Sequence, residues 1–142
     1  MGKLLQRLQD PARSGVYRAA RADEVLDAAR AGNPLVSRVS LAGVRDKSEL
    51  LARISRALRF PDWFGANWDA LEDCLTDLSW LKADGHVLLI EDVSGLPADD
   101  FGVFRDVLSS SAQYWTGRRK SFFAVFVNGP ASLPQLFQPR SA

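Results

Sequence analysis

The chain has 142 residues, 46% of them hydrophobic and 25% charged, the proportions of one soluble domain with a real core. No apolar run approaches a transmembrane helix, and a single cysteine excludes both an internal disulfide and a cysteine-based zinc site. The net charge of +1 hides a segregation: residues 1–59 carry 12 basic and 6 acidic side chains, residues 60–106 carry 2 and 11, and residues 107–142 carry 4 and none. The acidic middle therefore favours a positively charged partner and argues against nucleic acid there, whose phosphates it would repel.

Met1-Gly2-Lys3-Leu4-Leu5 lacks the apolar stretch of a signal peptide, and Gln6 stands where a myristoylation motif has Ser or Thr. A reducing cytoplasm is the expected compartment. A short strand is expected at Val16–Arg18, with its direction open, followed by a helix in which Val25, Leu26 and Ala29 share a face and Gly32-Asn33-Pro34 ends the run. Leu35–Leu41 is rich in β-formers. The stretch from Asp46 to Ser48 can cap a helix with Leu50, Leu51, Ile54 and Leu58 inward, stopped at Phe60-Pro61.

Asn67 is a good cap for a second short helix. All-apolar runs at Val87–Ile90 and Phe122–Val127 flank a helix expected over 100–114, with Phe101, Phe104, Val107 and Leu108 inward. Continuous apolar strands separated by helices indicate buried parallel strands. From Gly129 onward a tail or a surface strap is expected. The organisation is thus an N-terminal extension (1–34), a central domain (35–128) and a C-terminal tail (129–142).

The chemistry concentrates in the capped helix. On a wheel of 100° per residue, Leu71, Leu75, Trp68 and Leu78 form the buried stripe, with Cys74 at its edge. Asp69 and Asp73 project from the opposite face, about 6 Å apart along the axis, flanked by Glu72 and Thr76. Like charges at this spacing cost roughly 0.2–0.5 kcal/mol. A solvated face is the bland explanation. Against it stand the lack of local cations and the neighbouring aromatics Trp63 and Phe64, in a turn with Gly65, which together resemble an interaction hot spot.

Read in full, Phe60-Pro61-Asp62-Trp63-Phe64-Gly65-Ala66-Asn67-Trp68-Asp69-Ala70-Leu71-Glu72-Asp73-Cys74-Leu75-Thr76 resembles the signature of the barstar family, intracellular inhibitors of the secreted ribonuclease barnase. Val103-Phe104-Arg105-Asp106 resembles the family's third helix. The resemblance covers about two-thirds of the chain, from Leu35 to Asn128. It implies an α/β fold with a small, mainly parallel three-stranded sheet packed with helices, to which the N-terminal strand and helix are added.

The resemblance also implies a mechanism in which the acidic helix and its turn plug a basic ribonuclease active site. Asp73 would take the place of a substrate phosphate among the enzyme's Arg and His residues, and Asp69 would contact the same cleft. Trp63 matches an aromatic, usually Tyr, that packs on the catalytic His. Asp106 matches a Glu one methylene longer, and Gly65 and Asn67 match the turn and cap. Glu72 stands where the prototype has Trp, and Asp77-Leu78 replace Gly-Trp. The expected interface is Trp63, Phe64, Gly65, Asn67, Asp69, Glu72, Asp73, Thr76, Asp77 and Asp106.

Rival readings are weaker. Asp69 and Asp73 could serve glycoside chemistry, but both lie on one exposed helix face with no implied cleft. His86, just before a strand, has no nucleophile in a recognisable motif, and Cys74 reads as a core thiol. Arg118-Arg119-Lys120 reads as a solvated loop. Trp80 and Trp115 read as core or core-edge residues whose N–H groups reach backbone acceptors. The expectation is a monomer without catalysis, cofactor or metal, whose partner is a basic ribonuclease. The alternative is a binding module of the same fold whose basic partner is not a ribonuclease.

Overall fold

The computed structural model describes residues 8–30 and 32–137. The segment considered above for targeting signals, residues 1–7, and the last five residues of the expected tail lie outside the described residues. Four strands form one sheet: β1 (Gly15–Ala19), β2 (Leu35–Ser40), β3 (Gly85–Glu91) and β4 (Ser121–Val127). Their order is β1-β4-β3-β2 and every pairing is parallel. The α-helices among the described residues are α1 (Ala22–Ala29), α2 (Lys47–Leu58), α3 (Trp68–Leu75) and α4 (Ala98–Gly117).

The three-stranded sheet expected from the resemblance is corrected by this topology. β1 is a full edge member, matching Gly15 through Ala19 with Phe123 through Val127. The reason lies in β4, which is buried along almost its whole length and would otherwise present an unpaired row of backbone groups. Pairing with β1 satisfies that row.

The apolar runs at β3 and β4 are explained by cover on both faces. Leu88, Ile90, Phe122, Ala124 and Phe126 pack with α2, α3 and α4. Val87, Leu89, Phe123 and Val125 pack instead with Val25, Ala28 and Ala29 of α1 and with Leu8 and Leu136. Residues 133–136 run back across β1 as a strap: Arg18 donates its backbone N–H to the Pro134 carbonyl, and Leu136 N–H donates to the Arg18 carbonyl.

Helix ends follow local chemistry. The Asp46 carboxylate accepts from the Glu49 N–H at the start of α2. At its end Arg59 turns left-handed (φ 55°) and Phe60 N–H donates to the Ser55 carbonyl, a Schellman-type cap completed before Pro61. His86, expected at a strand's edge, lies inside β3 and is buried.

Candidate functional site: an acidic helix beside an aromatic turn

Only eight residues long, α3 is too short to persist alone and is held by its surroundings. The Asn67 side-chain oxygen accepts from the Ala70 N–H at 2.7 Å. Trp68 stacks on Phe104 of α4, and Trp115 donates its indole N–H to the Leu75 carbonyl at 2.8 Å. Leu71, Cys74 and Leu75 are fully buried beneath. The helix stops at Leu75, so Leu78 reaches the core from the following turn, in a left-handed conformation (φ 49°), and not as a fourth member of a helical stripe.

This anchoring fixes the outer face. Asp69, Glu72 and Asp73 are all exposed, and none forms an ion pair among the described residues. Asp77 is exposed just beyond the helix, where its carboxylate accepts from the Ser79 N–H. The Thr76 hydroxyl donates to the Glu72 carbonyl at 2.8 Å, so it serves the helix end first. Cys74 registers the field from inside: burial, then the negative charges of Asp73 and Asp77, push its thiol up to about 11, and it stays protonated at neutral pH.

The preceding turn carries the aromatics. Trp63 is 56% exposed, whereas Phe64 is half-buried and packs edge-on against Phe60. Gly65, matched above to the family's turn, does not occupy the left-handed region; Ala66 does, at φ 53°. A Cβ on Gly65 would meet only ordinary contacts, 3.5 Å from the Asn67 amide nitrogen and 3.6 Å from the Ala70 Cβ.

Asp106 comes from α4, the helix against which α3 packs. It is exposed on α4 and its described partner is its neighbour Arg105. Trp80, read above as a core-edge residue, is the addition the structure makes. Its indole N–H donates to the Leu58 carbonyl at 2.8 Å, and its ring meets both Phe60 and Trp63 edge-on. The signal for it was weak, because only tertiary contact joins Trp80 to a turn many residues earlier.

A cleft of about 720 Å³ opens at the N-terminal ends of β2 and β3, between Lys82, Asp84, His86, Trp115 and Lys120, and shares only Asp77 with the interface expected from the sequence. Among the described residues, no group of three or more His, Cys, Asp or Glu is placed to hold a metal, and no helix is long and apolar enough to cross a membrane.

Fold and site together define a small α/β domain that presents an anchored acidic helix and an exposed tryptophan. The family model described as Barstar (barnase inhibitor) matches residues 35–127, from the first residue of β2 to the last of β4. The chain belongs to that family. No curated protein matches it. Among solved structures it is similar to Cdc6p from Pyrobaculum aerophilum, with a TM-score of 0.56 and 14% identity over 89% of this chain. The similarity takes in 38% of that protein's chain, so this chain spans well under half its length, and the likeness is one of fold alone.

Proposed function

We propose that this protein inhibits a barnase-type ribonuclease. It binds one-to-one as a cytoplasmic monomer and acts by occluding the enzyme's basic active site, with no catalysis of its own. The observation that carries the reading is the outer face of α3, where Asp69, Glu72 and Asp73 stand exposed without a cation among the described residues, next to a tryptophan that is 56% exposed.

Three physical arguments support it. A carboxylate desolvated against guanidinium groups makes short, charge-assisted and often bidentate hydrogen bonds, and free carboxylates on a rigid helix are ready to do so. The acids of the turn and helix, Asp62, Asp69, Glu72, Asp73 and Asp77, run without an intervening Lys or Arg and steer a basic enzyme toward them. Gly65 is not demanded by the chain's own packing, so its lack of a side chain leaves room for close approach by a partner.

Titration calorimetry into a purified barnase-type ribonuclease, at two salt concentrations and with Asp73→Ala alongside, tests the reading. Tight binding that weakens with salt is expected. The variant should lose at least about 2 kcal/mol of binding energy, the hot-spot threshold, while its unfolding midpoint holds or rises slightly. Full affinity in the variant removes Asp73 from the site. No binding by the unaltered chain excludes this class of enzyme and directs the search to other basic proteins.

A further inference from the structure

Trp63 stands more than half in solvent, yet Trp80 gives it a defined aromatic neighbour: the two rings meet at 84° with centroids 6.2 Å apart. Trp80 is itself held from two sides. Its N–H is tied to the Leu58 carbonyl at the end of α2, and Phe60 closes on its ring at 6.0 Å and 85°. Phe60 in turn meets Phe64 at 4.9 Å. The four aromatics form a chain from the core edge to the surface, and Trp80 is the link whose orientation a hydrogen bond sets.

We propose that Trp80 is a positioning residue for the interface, fixing the Trp63 indole in its binding orientation before a partner arrives. The proposal rests on the reading of this surface as a ribonuclease-binding one. An exposed tryptophan free to sample rotamers loses that freedom on binding, at a cost typical of one immobilised side chain. An edge-on ring against it restrains those rotamers in advance. The partner group this arrangement fits is a flat, cationic or π-rich side chain, an imidazole or a guanidinium, laid on the exposed indole face beside the acids of α3.

The test has two arms, one without any partner. In protein labelled with 5-fluorotryptophan, the Trp63 fluorine resonance is assigned by its loss in Trp63→Phe. It should lie away from the free-indole position in the unaltered chain, move toward it in Trp80→Ala, and move only part of the way in Trp80→Phe, which keeps a ring but not the N–H bond that orients it. A Trp63 resonance indifferent to Trp80→Ala overturns the proposal whatever the partner.

The second arm is a double-mutant cycle of Trp63→Ala and Trp80→Ala in binding to a barnase-type ribonuclease, at a temperature where every variant is folded. Trp80→Ala alone should weaken binding by roughly threefold to tenfold, and Trp63→Ala should cost less in that background. Strictly additive losses overturn the role at the interface while leaving the inhibitor reading intact. No binding by the unaltered chain, with the fluorine shift still present, overturns the inhibitor reading and the interface role that depends on it.

Discussion

Ala66, like Leu78, holds a left-handed backbone at the site, and of the two it is the exposed one. A left-handed backbone costs an L-residue about 1–2 kcal/mol, and glycine avoids that cost while giving back part of the gain through its freer unfolded chain. Ala66→Gly should therefore stabilise the protein by about 0.5–1 kcal/mol, visible as a higher urea midpoint at unchanged slope; a lower midpoint would show that the turn holds Ala66 without strain. His86 carries a different cost. It is buried in β3 against Trp115, its Nδ1 has no hydrogen-bond partner among the described residues, and burial first and the Lys120 charge second lower its pKa from 6.5. The folded state then binds fewer protons than the unfolded one as pH drops below 6.5. Stability should be flat above about pH 7 and fall as pH descends from 6.5 toward the lower folded value. Urea midpoints at pH 5.5 and 7.5 check this, with His86→Phe expected to remove most of the difference.

At the scale of the element, α3 depends on three anchors, and the Asn67 cap is the one that can be removed without touching the core. Asn67→Ala should cost about 1 kcal/mol, and Asn67→Asp, which keeps an acceptor, should recover most of it. Denaturation of the two variants side by side gives the answer; equal losses would assign the effect to something other than capping. The cap, the buried stripe through Leu75 and the exposed acids were legible in the sequence, because capping and helical period are local. What escaped it depended on a local turn at Leu78 and otherwise on distant chain. Leu78 kept its burial but left the helix, since the Asp77 and Leu78 N–H groups both close on the Cys74 carbonyl. The α4 helix runs to Gly117, beyond the expected end, where the Thr116 hydroxyl bonds the Pro11 carbonyl far away in sequence. That the Trp80 N–H reaches a backbone acceptor was legible, but that the acceptor is Leu58 has no signature in either segment alone.

For the whole molecule, the family match and the folding unit do not share a boundary. The match begins at residue 35, but β1 completes one sheet edge and α1 covers the face formed by Val87, Leu89, Phe123 and Val125. The all-apolar strands already implied cover on both faces, and the N-terminal helix, expected as an extension outside the central domain, supplies it on one of them. Fully burying a side chain of this size contributes about 1.5–3 kcal/mol, so baring four of them removes an amount comparable to the roughly 5–15 kcal/mol by which a domain is stable. A chain restricted to residues 35–137 should therefore lose cooperative unfolding, bind a hydrophobic dye and self-associate through the bared β4 edge. Heat-capacity scans and sedimentation of the shortened chain beside the full one decide the matter. A cooperative transition near that of the full chain would mean that α1 and β1 decorate an independently stable core, and the acidic helix would then need only residues 35–137 to hold it in place.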